Sequence, residues 1–176
     1  NIYNALAAFA AADVCGLDAG RVARGLSAFT GARRRMEYKG KFCGAEVYDD
    51  YGHHPTEVRA TLKAMRGVGS GRLFCVFQSH TYSRTAKLFD DFAEALTHAD
   101  RAVVADIYAA RETDDLGVSG AKLAAAVNGR GGSAVYGGST ENIAKLLAGE
   151  LRAGDTLVVM GAGDIYKLFP LIGLSE

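Results

Sequence analysis

The sequence has no surplus charge of either sign, no long hydrophobic run and few cysteines. With 20 basic and 20 acidic side chains in 176 residues, its bulk charge gives no support to nucleic-acid binding, which needs a basic surplus. The longest apolar run, residues 5–12, is far shorter than the roughly 20 residues of a membrane-spanning helix. We therefore expect neither a nucleic-acid partner nor a membrane.

The cysteines are odd in number, far apart and without a CxxC pair, which argues against a zinc site and a disulfide framework. Three buried free thiols in a reducing cytoplasm are the simplest interpretation of Cys15, Cys43 and Cys75. Since the chain also lacks a signal peptide and an initiator methionine, we expect a cytoplasmic protein whose chain begins upstream of Asn1.

Two helices are predicted at the start of the chain, over residues 2–15 and 19–28. They have no sheet of their own and cannot bury much apolar surface alone. We therefore place a domain boundary near residue 32. Residues 1–31 then belong to a neighbouring domain or pack on the domain formed by residues 32–176.

Beyond the boundary, a hairpin is followed by short apolar strands that alternate with helices. Such strands are typical of a parallel sheet with helices on both faces. The sequence thus predicts a doubly wound, mostly parallel α/β domain with an N-terminal β-hairpin and two preceding helices. The predicted strands are 36–42, 45–48, 73–77, 102–106, 134–136 and 156–160, and the predicted helices are 55–66, 84–97, 119–128, 139–150 and 164–171.

The polar turns that follow four of these strands should face one edge of the sheet, where open α/β sheets bind their ligands. These turns hold His53, His54, His80 and Arg84, a predicted cationic cluster suited to carboxylate or phosphate groups. A structural hydrogen bond for each histidine and a surface ion pair for Arg84 are the alternatives. The turns are residues 49–57, 78–85, 107–112 and 161–164.

Other segments admit two interpretations. Asp49 and Asp50 can accept hydrogen bonds from sugar hydroxyls, or they can be turn and capping residues. The arginines at 33–35 are either a solvated hinge or a phosphate contact. Gly161-Ala162-Gly163 follows the last strand, which favours tight strand-to-helix packing over a dinucleotide fingerprint. The residues expected in the core are Met36, Phe42, Phe74 and Phe77.

No complete catalytic apparatus is visible, because the sequence has no GxxxxGK[ST] loop and no GxSxG elbow. No run of histidines or carboxylates has metal-ligand spacing, so no metal site is expected in this chain. The residues alone indicate an anion-binding α/β domain that supplies one half of an active site.

The run DDYGHHPTE at residues 49–57 resembles the signature of the UDP-N-acetylmuramate–L-alanine ligase family of Mur ligases. The resemblance covers essentially the whole chain and marks residues 1–31 as the end of the central ATP-binding domain and residues 32–176 as the C-terminal domain. Further segments that agree with the family in order and spacing are 1–8, 31–37, 77–85, 106–112 and 160–165.

The resemblance implies an enzyme of peptidoglycan synthesis. ATP phosphorylates the carboxylate of UDP-N-acetylmuramate, and the amine of L-alanine attacks the acyl phosphate. The implied partners are those three substrates and the upstream domains of the same polypeptide. Magnesium is bound mainly by upstream residues, and the phosphate loop and UDP-binding domain are also missing here, so this chain alone is expected to be inactive.

The resemblance also assigns the residues that meet ATP. Asn1 and Asn4 lie beside the adenine, and their spacing puts both on one face of a helix. Arg35 reaches toward the nucleotide, and Asp50 reaches toward its ribose.

The substrate side is assigned in the same way. Tyr51, His53, His80 and Arg84 line the side that holds the alanine and the muramoyl group. His53, His80 and Arg84 are the implied catalytic residues, and the planar guanidinium of Arg84 suits a carboxylate clamp.

The sequence departs from the family at three positions: Met36 replaces Phe, Ser79 replaces Pro, and Thr81 stands where Arg is common. If that Arg holds substrate in relatives, Thr81 leaves the role to Arg84 or His80.

Three alternatives remain. A ligase that recycles murein tripeptide tends to have Phe-Ala where this chain has Tyr51-Gly52. A stand-alone nucleotide- or anion-binding module disagrees with the missing initiator methionine and the sheetless helices. A structural interaction domain disagrees with the polar edge.

Overall fold

The computed structural model describes residues 2–29 and 31–175, and the chain divides into two compact units, Asn1–Ala32 and Arg33–Glu176. The first unit consists of α1 (Ile2–Val14) and α2 (Ala19–Ala28). Asp18 caps α2, because its carboxylate accepts a hydrogen bond from the backbone N–H of Arg21 at 2.9 Å. Neither helix holds a buried residue among those described, so this unit has no core of its own.

The second unit is built on a six-stranded sheet in the order β1-β2-β6-β3-β4-β5. β1 and β2 form an antiparallel hairpin, and every other neighbouring pair is parallel. The predicted doubly wound, mostly parallel fold is therefore confirmed. The strands are β1 (Glu37–Phe42), β2 (Ala45–Asp50), β3 (Leu73–Phe77), β4 (Arg101–Ala105), β5 (Ala134–Gly138) and β6 (Thr156–Met160).

Helices cover both faces of this sheet and form a hydrophobic core on each. Since successive side chains of a strand point to opposite faces, a single strand contributes to both cores. Cys75 and Phe77 pack into one core with α3, α5 and α6, whereas Phe74 and Val76 pack into another with α7 and α8. No described helix is long and apolar enough to span a bilayer. The helices are α3 (Pro55–Met65), α4 (Tyr82–Lys87), α5 (Phe89–Leu96), α6 (Gly120–Gly129), α7 (Thr140–Glu150) and, after a 3₁₀ turn at Ile165–Lys167, α8 (Leu168–Leu171).

Two local predictions about helices and core were wrong. The single helix predicted over residues 84–97 is broken at Leu88, whose φ of −116° and ψ of 21° lie outside the helical region. Met36 is 40% exposed rather than in the core, because it has a left-handed backbone (φ 51°) and its amide is bound by the Asp50 carboxylate. Phe42 is only partly buried, while Phe74 and Phe77 lie in the core as expected.

The prediction of three buried thiols holds only for Cys75, since Cys15 and Cys43 are exposed. Cys43 (φ 51°) and Gly44 (φ 81°) form the tight turn of the hairpin. Two consecutive residues with positive φ are the requirement of a type I′ turn, and this turn points Cys43 away from the core.

Asp155 joins the strand starts at the amino-terminal edge of the sheet. Its buried carboxylate accepts from the backbone amides of Arg72 (2.9 Å) and Arg152 (3.0 Å) and from the Arg72 guanidinium (2.8 Å). Burial acts to raise the pKa of Asp155, but these hydrogen bonds outweigh it and hold the pKa below its ordinary value.

Asp155→Asn should therefore lower the free energy of unfolding by about 2 kcal/mol at pH 7, because hydrogen bonds to a charged group are lost. Since the pKa of Asp155 is depressed in the folded state, the difference in unfolding free energy between wild type and Asp155→Asn should be complete above pH ~4. It should shrink as the pH falls further. Urea unfolding across pH measures both effects. Asp91→Asn is the control: Asp91 is exposed, and a change there should cost no more than about 0.5 kcal/mol.

Candidate functional site

The carboxyl ends of β2, β6 and β3 lie side by side, since Asp50 pairs with Met160 and Met160 pairs with Phe77. Backbone bonds extend this alignment into the turns: Gly161 N–H donates to Asp50 C=O at 3.2 Å, and Gln78 N–H donates to Met160 C=O at 2.9 Å. The turn after β4 joins the others through a parallel bridge between His80 and Tyr108. The four polar turns thus share one edge, as the sequence predicts.

His54 serves as the N-cap of α3. Its Nδ1 accepts from the amide of Thr56 at 3.3 Å, and the Glu57 carboxylate accepts from the amides of His53 (3.0 Å) and His54 (3.1 Å). This reciprocal arrangement satisfies amides that the first turn of a helix leaves free. The structural alternative therefore applies to His54, which does not join a cationic cluster.

Tyr51 and His53 form one wall of the edge. His53 Nδ1 lies 3.0 Å from the carbonyl oxygen of Tyr51, which can only accept, so Nδ1 carries the proton and donates. Their rings meet edge to face with centroids 5.4 Å apart. In the neutral imidazole this bond leaves His53 Nε2 as an acceptor.

His80 lies in the turn after β3 and packs on Tyr108, with ring centroids 5.4 Å apart. Burial, followed by the charges of Arg84 and His53, lowers the pKa of His80 below 6.5, so its imidazole is neutral at pH 7. Its Nδ1 is buried and has no hydrogen-bond partner among the described residues. The predicted cluster of four cations is therefore not supported, since His54 is a cap and the lowered pKa of His80 favours its neutral form.

Arg84 is partly buried on α4, and no carboxylate of the described residues lies within ion-pair distance of it. The acidic group of the neighbouring turn, Glu112, instead accepts from the backbone amide (2.9 Å) and hydroxyl of Ser83. These bonds lower the pKa of Glu112 and keep it ionised. Arg84 therefore offers a guanidinium whose hydrogen-bonding fork is available to an anion.

At Ser79 and Thr81, where the sequence departs from the family pattern, each side chain has a hydrogen-bond partner nearby. The Ser79 hydroxyl lies 2.5 Å from that of Thr85, so the polar side chain at this buried position is satisfied. Thr81 has φ 66° and caps α4, its hydroxyl accepting from the amide of Arg84 at 3.4 Å.

The two aspartates at the end of β2 shape the turn. Asp50 is buried and accepts from the amides of Gly52 (2.7 Å) and Met36 (3.0 Å), whereas Asp49 accepts from Arg34 Nε at 3.1 Å. Both belong to the strand itself, which extends two residues beyond its predicted end at Tyr48.

The three arginines at 33–35 have different environments, so neither a solvated hinge nor a phosphate contact describes all of them. Arg34 donates to the Asp49 carboxylate at 3.1 Å and to the carbonyl of Gly161 at 2.8 Å. Arg35 is exposed, and its guanidinium forms a long, weak ion pair with Glu57 at 3.8 Å. Sequence reasoning missed the individual role of Arg34, because three equal side chains in a row carry no signal that separates them.

The predicted nucleotide-side asparagines belong to the first unit. Asn4 is exposed on α1, and Asn1 lies outside the described residues. Of the predicted substrate-side residues, the structure places Tyr51 against His53, and it places His80 within electrostatic range of His53 and Arg84.

A cleft of about 310 Å³ lies at the ends of β4 and β5 and is lined by Asp106, Tyr108, Ser139 and Lys167 among others, so it adjoins His80 through Tyr108. Lys167 was also missed from the sequence; it lies three residues after Asp164 and pairs with it at 3.1 Å. No group of three potential metal ligands occurs among residues 2–29 and 31–175.

The Gly161-Ala162-Gly163 segment packs tightly, as the sequence predicts, but against the turn after β3 rather than against a helix. Gln78 binds this segment by donating to Asp164 at 2.9 Å and accepting from the Ile165 amide at 3.0 Å. A Cβ on Gly163 would lie 2.7 Å from that of Tyr108. Glycine is therefore needed for close approach here.

Gly163→Ala should destabilise the protein by about 1–3 kcal/mol, because the added methyl overpacks the cleft wall. Gly149→Ala is a matched control inside α7, where an added Cβ meets nothing within 4 Å. This control should stabilise the protein by up to about 1 kcal/mol, since alanine is the better helix former. Thermal unfolding of both variants measures the difference; equal shifts would contradict the packing argument.

Fold and site together define the class, a doubly wound α/β domain with a histidine-bearing polar edge at the carboxyl ends of its parallel strands. The family model described as Mur ligase, glutamate ligase domain, matches residues 34–163. The chain therefore belongs to the Mur ligase family.

Curated relatives agree with this family. The chain is 51% identical over 168 residues to the UDP-N-acetylmuramate–L-alanine ligase of Lachnospira eligens and 48% identical over 168 residues to that of Clostridium novyi. Each match covers 96% of this chain and 37% of the relative. The chain thus spans little more than a third of the length of these relatives.

Solved structures show the same relationship. The UDP-N-acetylmuramate-alanine ligase of Thermotoga maritima has a TM-score of 0.76 and 27% identity, covering 96% of this chain and 35% of that one. A murein peptide ligase from Psychrobacter arcticus has a TM-score of 0.71 and 28% identity, covering 97% and 35%.

Proposed function

We propose that this chain is part of an ATP-dependent ligase that joins L-alanine to UDP-N-acetylmuramate in peptidoglycan synthesis. The observation that carries the proposal is the 51% identity, over 96% of this chain, to a relative of that name. ATP phosphorylates the muramate carboxylate, the alanine amine attacks the acyl phosphate, and ADP and phosphate are released. We place the reaction in the cytoplasm, in keeping with the free thiols.

In this proposal residues 32–176 are the C-terminal domain, and residues 1–31 are the last helices of the ATP-binding domain. The absence of a buried residue in α1 and α2 supports a neighbouring domain that covers them. The C-terminal domain closes over the substrates and excludes water from the acyl phosphate, whose hydrolysis is the competing reaction. Because it contains only part of the active site, the chain alone should not catalyse ligation.

Arg84 is the proposed clamp for the alanine carboxylate. Its guanidinium is partly buried and has no acidic partner in the described residues, so binding need not break an existing ion pair. A planar fork can donate two parallel hydrogen bonds to one carboxylate, which orients the amine as well as holding the charge.

His80 is the proposed acceptor for the proton that the alanine ammonium must lose before the neutral amine can attack the acyl phosphate. An acceptor must be neutral, and burial beside Arg84 keeps the imidazole neutral by lowering its pKa. Tyr51 and His53 complete the wall opposite His80, where they position the alanine and the muramoyl group.

On the nucleotide side, Asn1 and Asn4 are proposed to meet the adenine, and Arg35 the nucleotide. Arg35 suits this role because its side chain is 56% exposed and only weakly paired. Asp50 is proposed to reach the ribose, and its carboxylate oxygens retain lone pairs beyond the two amide bonds they accept. No group of three or more histidine, cysteine or acidic side chains among the described residues is placed to hold a metal ion, and magnesium is proposed to be bound mainly by upstream parts of the enzyme.

Substrate choice separates this proposal from its nearest alternative, the ligase for L-alanyl-γ-D-glutamyl-meso-diaminopimelate. The similarity of the Psychrobacter arcticus structure makes this test necessary. We expect the full-length protein to release phosphate from ATP with UDP-N-acetylmuramate and L-alanine, but not with the tripeptide. Turnover with the tripeptide alone would transfer the assignment to the recycling ligase, and turnover with neither would favour a binding module.

Arg84→Ala should lower kcat/KM for L-alanine about a hundredfold, the effect of losing roughly 3 kcal/mol of charge-assisted hydrogen bonding. KM for ATP should change little, because the clamp holds only the alanine. Lys87→Ala is the matched control, since Lys87 is an exposed cation one turn further along α4. An equal loss in both variants, or a loss of folding in Arg84→Ala alone, would contradict the clamp.

The pH dependence tests His80. Because its pKa is lowered, phosphate release should persist as the pH falls through 6.5 and decline only below it. Arg84→Gln removes a charge that contributes to this lowering, so the acid limb of the kcat/KM profile should move to higher pH. The limb should stay in place in Lys87→Gln; an unchanged limb in Arg84→Gln would remove His80 from the mechanism.

A further inference from the structure

The side chain of Arg34 connects three parts of the second unit. Its Nε donates to Asp49 at 3.1 Å, and its Nη2 donates to the carbonyl of Gly161 at 2.8 Å. The guanidinium also lies over the rings of Tyr51 and Tyr166, 4.9 and 5.4 Å from their centroids. One planar group therefore contacts the end of β2, the turn after β6 and the aromatic wall of the proposed alanine site.

The backbone of the same segment is bound to the same turn. The Tyr51 amide donates to the carbonyl of Arg34 at 2.7 Å, and the Met36 amide donates to Asp50 at 3.0 Å. Both Arg34 (φ 56°) and Met36 (φ 51°) have left-handed backbones. Non-glycine residues rarely adopt this conformation, so tertiary contacts must hold it in place.

The Arg34–Asp49 pair is well shielded, with side chains 24% and 3% exposed. Burial raises the pKa of Asp49, and the charge and hydrogen bond of Arg34 act against that rise. Removing the guanidinium would leave a buried carboxylate without its cation, an unfavourable state. Lysine keeps the charge, but a point charge cannot make both directed bonds and also lie flat on a tyrosine ring.

We propose that Arg34 is a positioning residue for the alanine site, which it does not itself contact. It holds Tyr51, and through Tyr51 the adjoining His53, in the orientation that faces His80 and Arg84. The inference rests on the proposed ligase function for its kinetic consequence. Its structural consequence, that Arg34 helps to order residues 49–54, does not rest on the ligase function.

The test compares wild type with Arg34→Lys in the full-length ligase. Small misplacements in an active site are costly, so kcat/KM for L-alanine should fall about ten- to a hundredfold. KM for ATP should stay within about threefold, because the residue acts through Tyr51, which is proposed to face the alanine and the muramoyl group and not the nucleotide. Amide hydrogen exchange should accelerate in residues 49–54 and remain unchanged in α7.

Arg72→Lys is the matched control. Arg72 likewise binds a buried aspartate, Asp155, and a backbone carbonyl, that of Glu150 at 2.8 Å, but at the opposite edge of the sheet. It should lower the thermal midpoint as much as Arg34→Lys does, without changing kcat/KM for L-alanine.

Equal kinetic losses for all three substrates, or the same loss in Arg72→Lys, would show that Arg34 supports only general stability and would overturn the proposal. Unchanged exchange in residues 49–54 would overturn it as well. If wild type shows no turnover with L-alanine, the ligase assignment fails by itself, and the exchange data still decide whether Arg34 orders the turn.

Discussion

The polar edge depends on one constraint, the in-register parallel pairing of β2, β6 and β3. This pairing brings Asp50, Met160 and Phe77 to the same level, and the residues after them must then emerge side by side. Hydrogen bonds between the turns continue the alignment beyond the sheet. Side chains from separate turns, such as His53 and His80, therefore come within electrostatic range of each other.

At this edge most polar groups are already used by the protein. His54 and Glu57 cap a helix, Asp50 binds backbone amides, and Asp49 binds Arg34. Among the groups that lack a partner in the described residues are His80 Nδ1 and Asp49 Oδ1, and the Arg84 guanidinium forms no ion pair there. A rigid surround with a small number of unsatisfied groups is what a binding site requires, because the surround fixes the positions from which those groups act.

The sequence predicted most of the fold because apolar runs identify buried strands directly; β3 and β6 were placed to the residue. It missed the end of β2, since Asp49 and Asp50 are polar and their burial depends on partners distant in the chain. For the same reason it grouped His54 with the other histidines. The ring belongs to a helix cap, and that role becomes visible only when the backbone around Thr56 is known.

The opposite, amino-terminal edge carries ion pairs, among them Arg72 with Asp155, Arg66 with Asp100 and Arg101 with Glu150. These pairs join strand starts to one another or to helix ends, at the edge of the sheet opposite His53, His80 and the cleft. The ion pairs and the proposed substrate site thereby lie at opposite ends of the same strands. Substitutions among the side chains of the histidine-bearing edge can therefore change the groups it offers without removing the ion pairs that anchor the other edge.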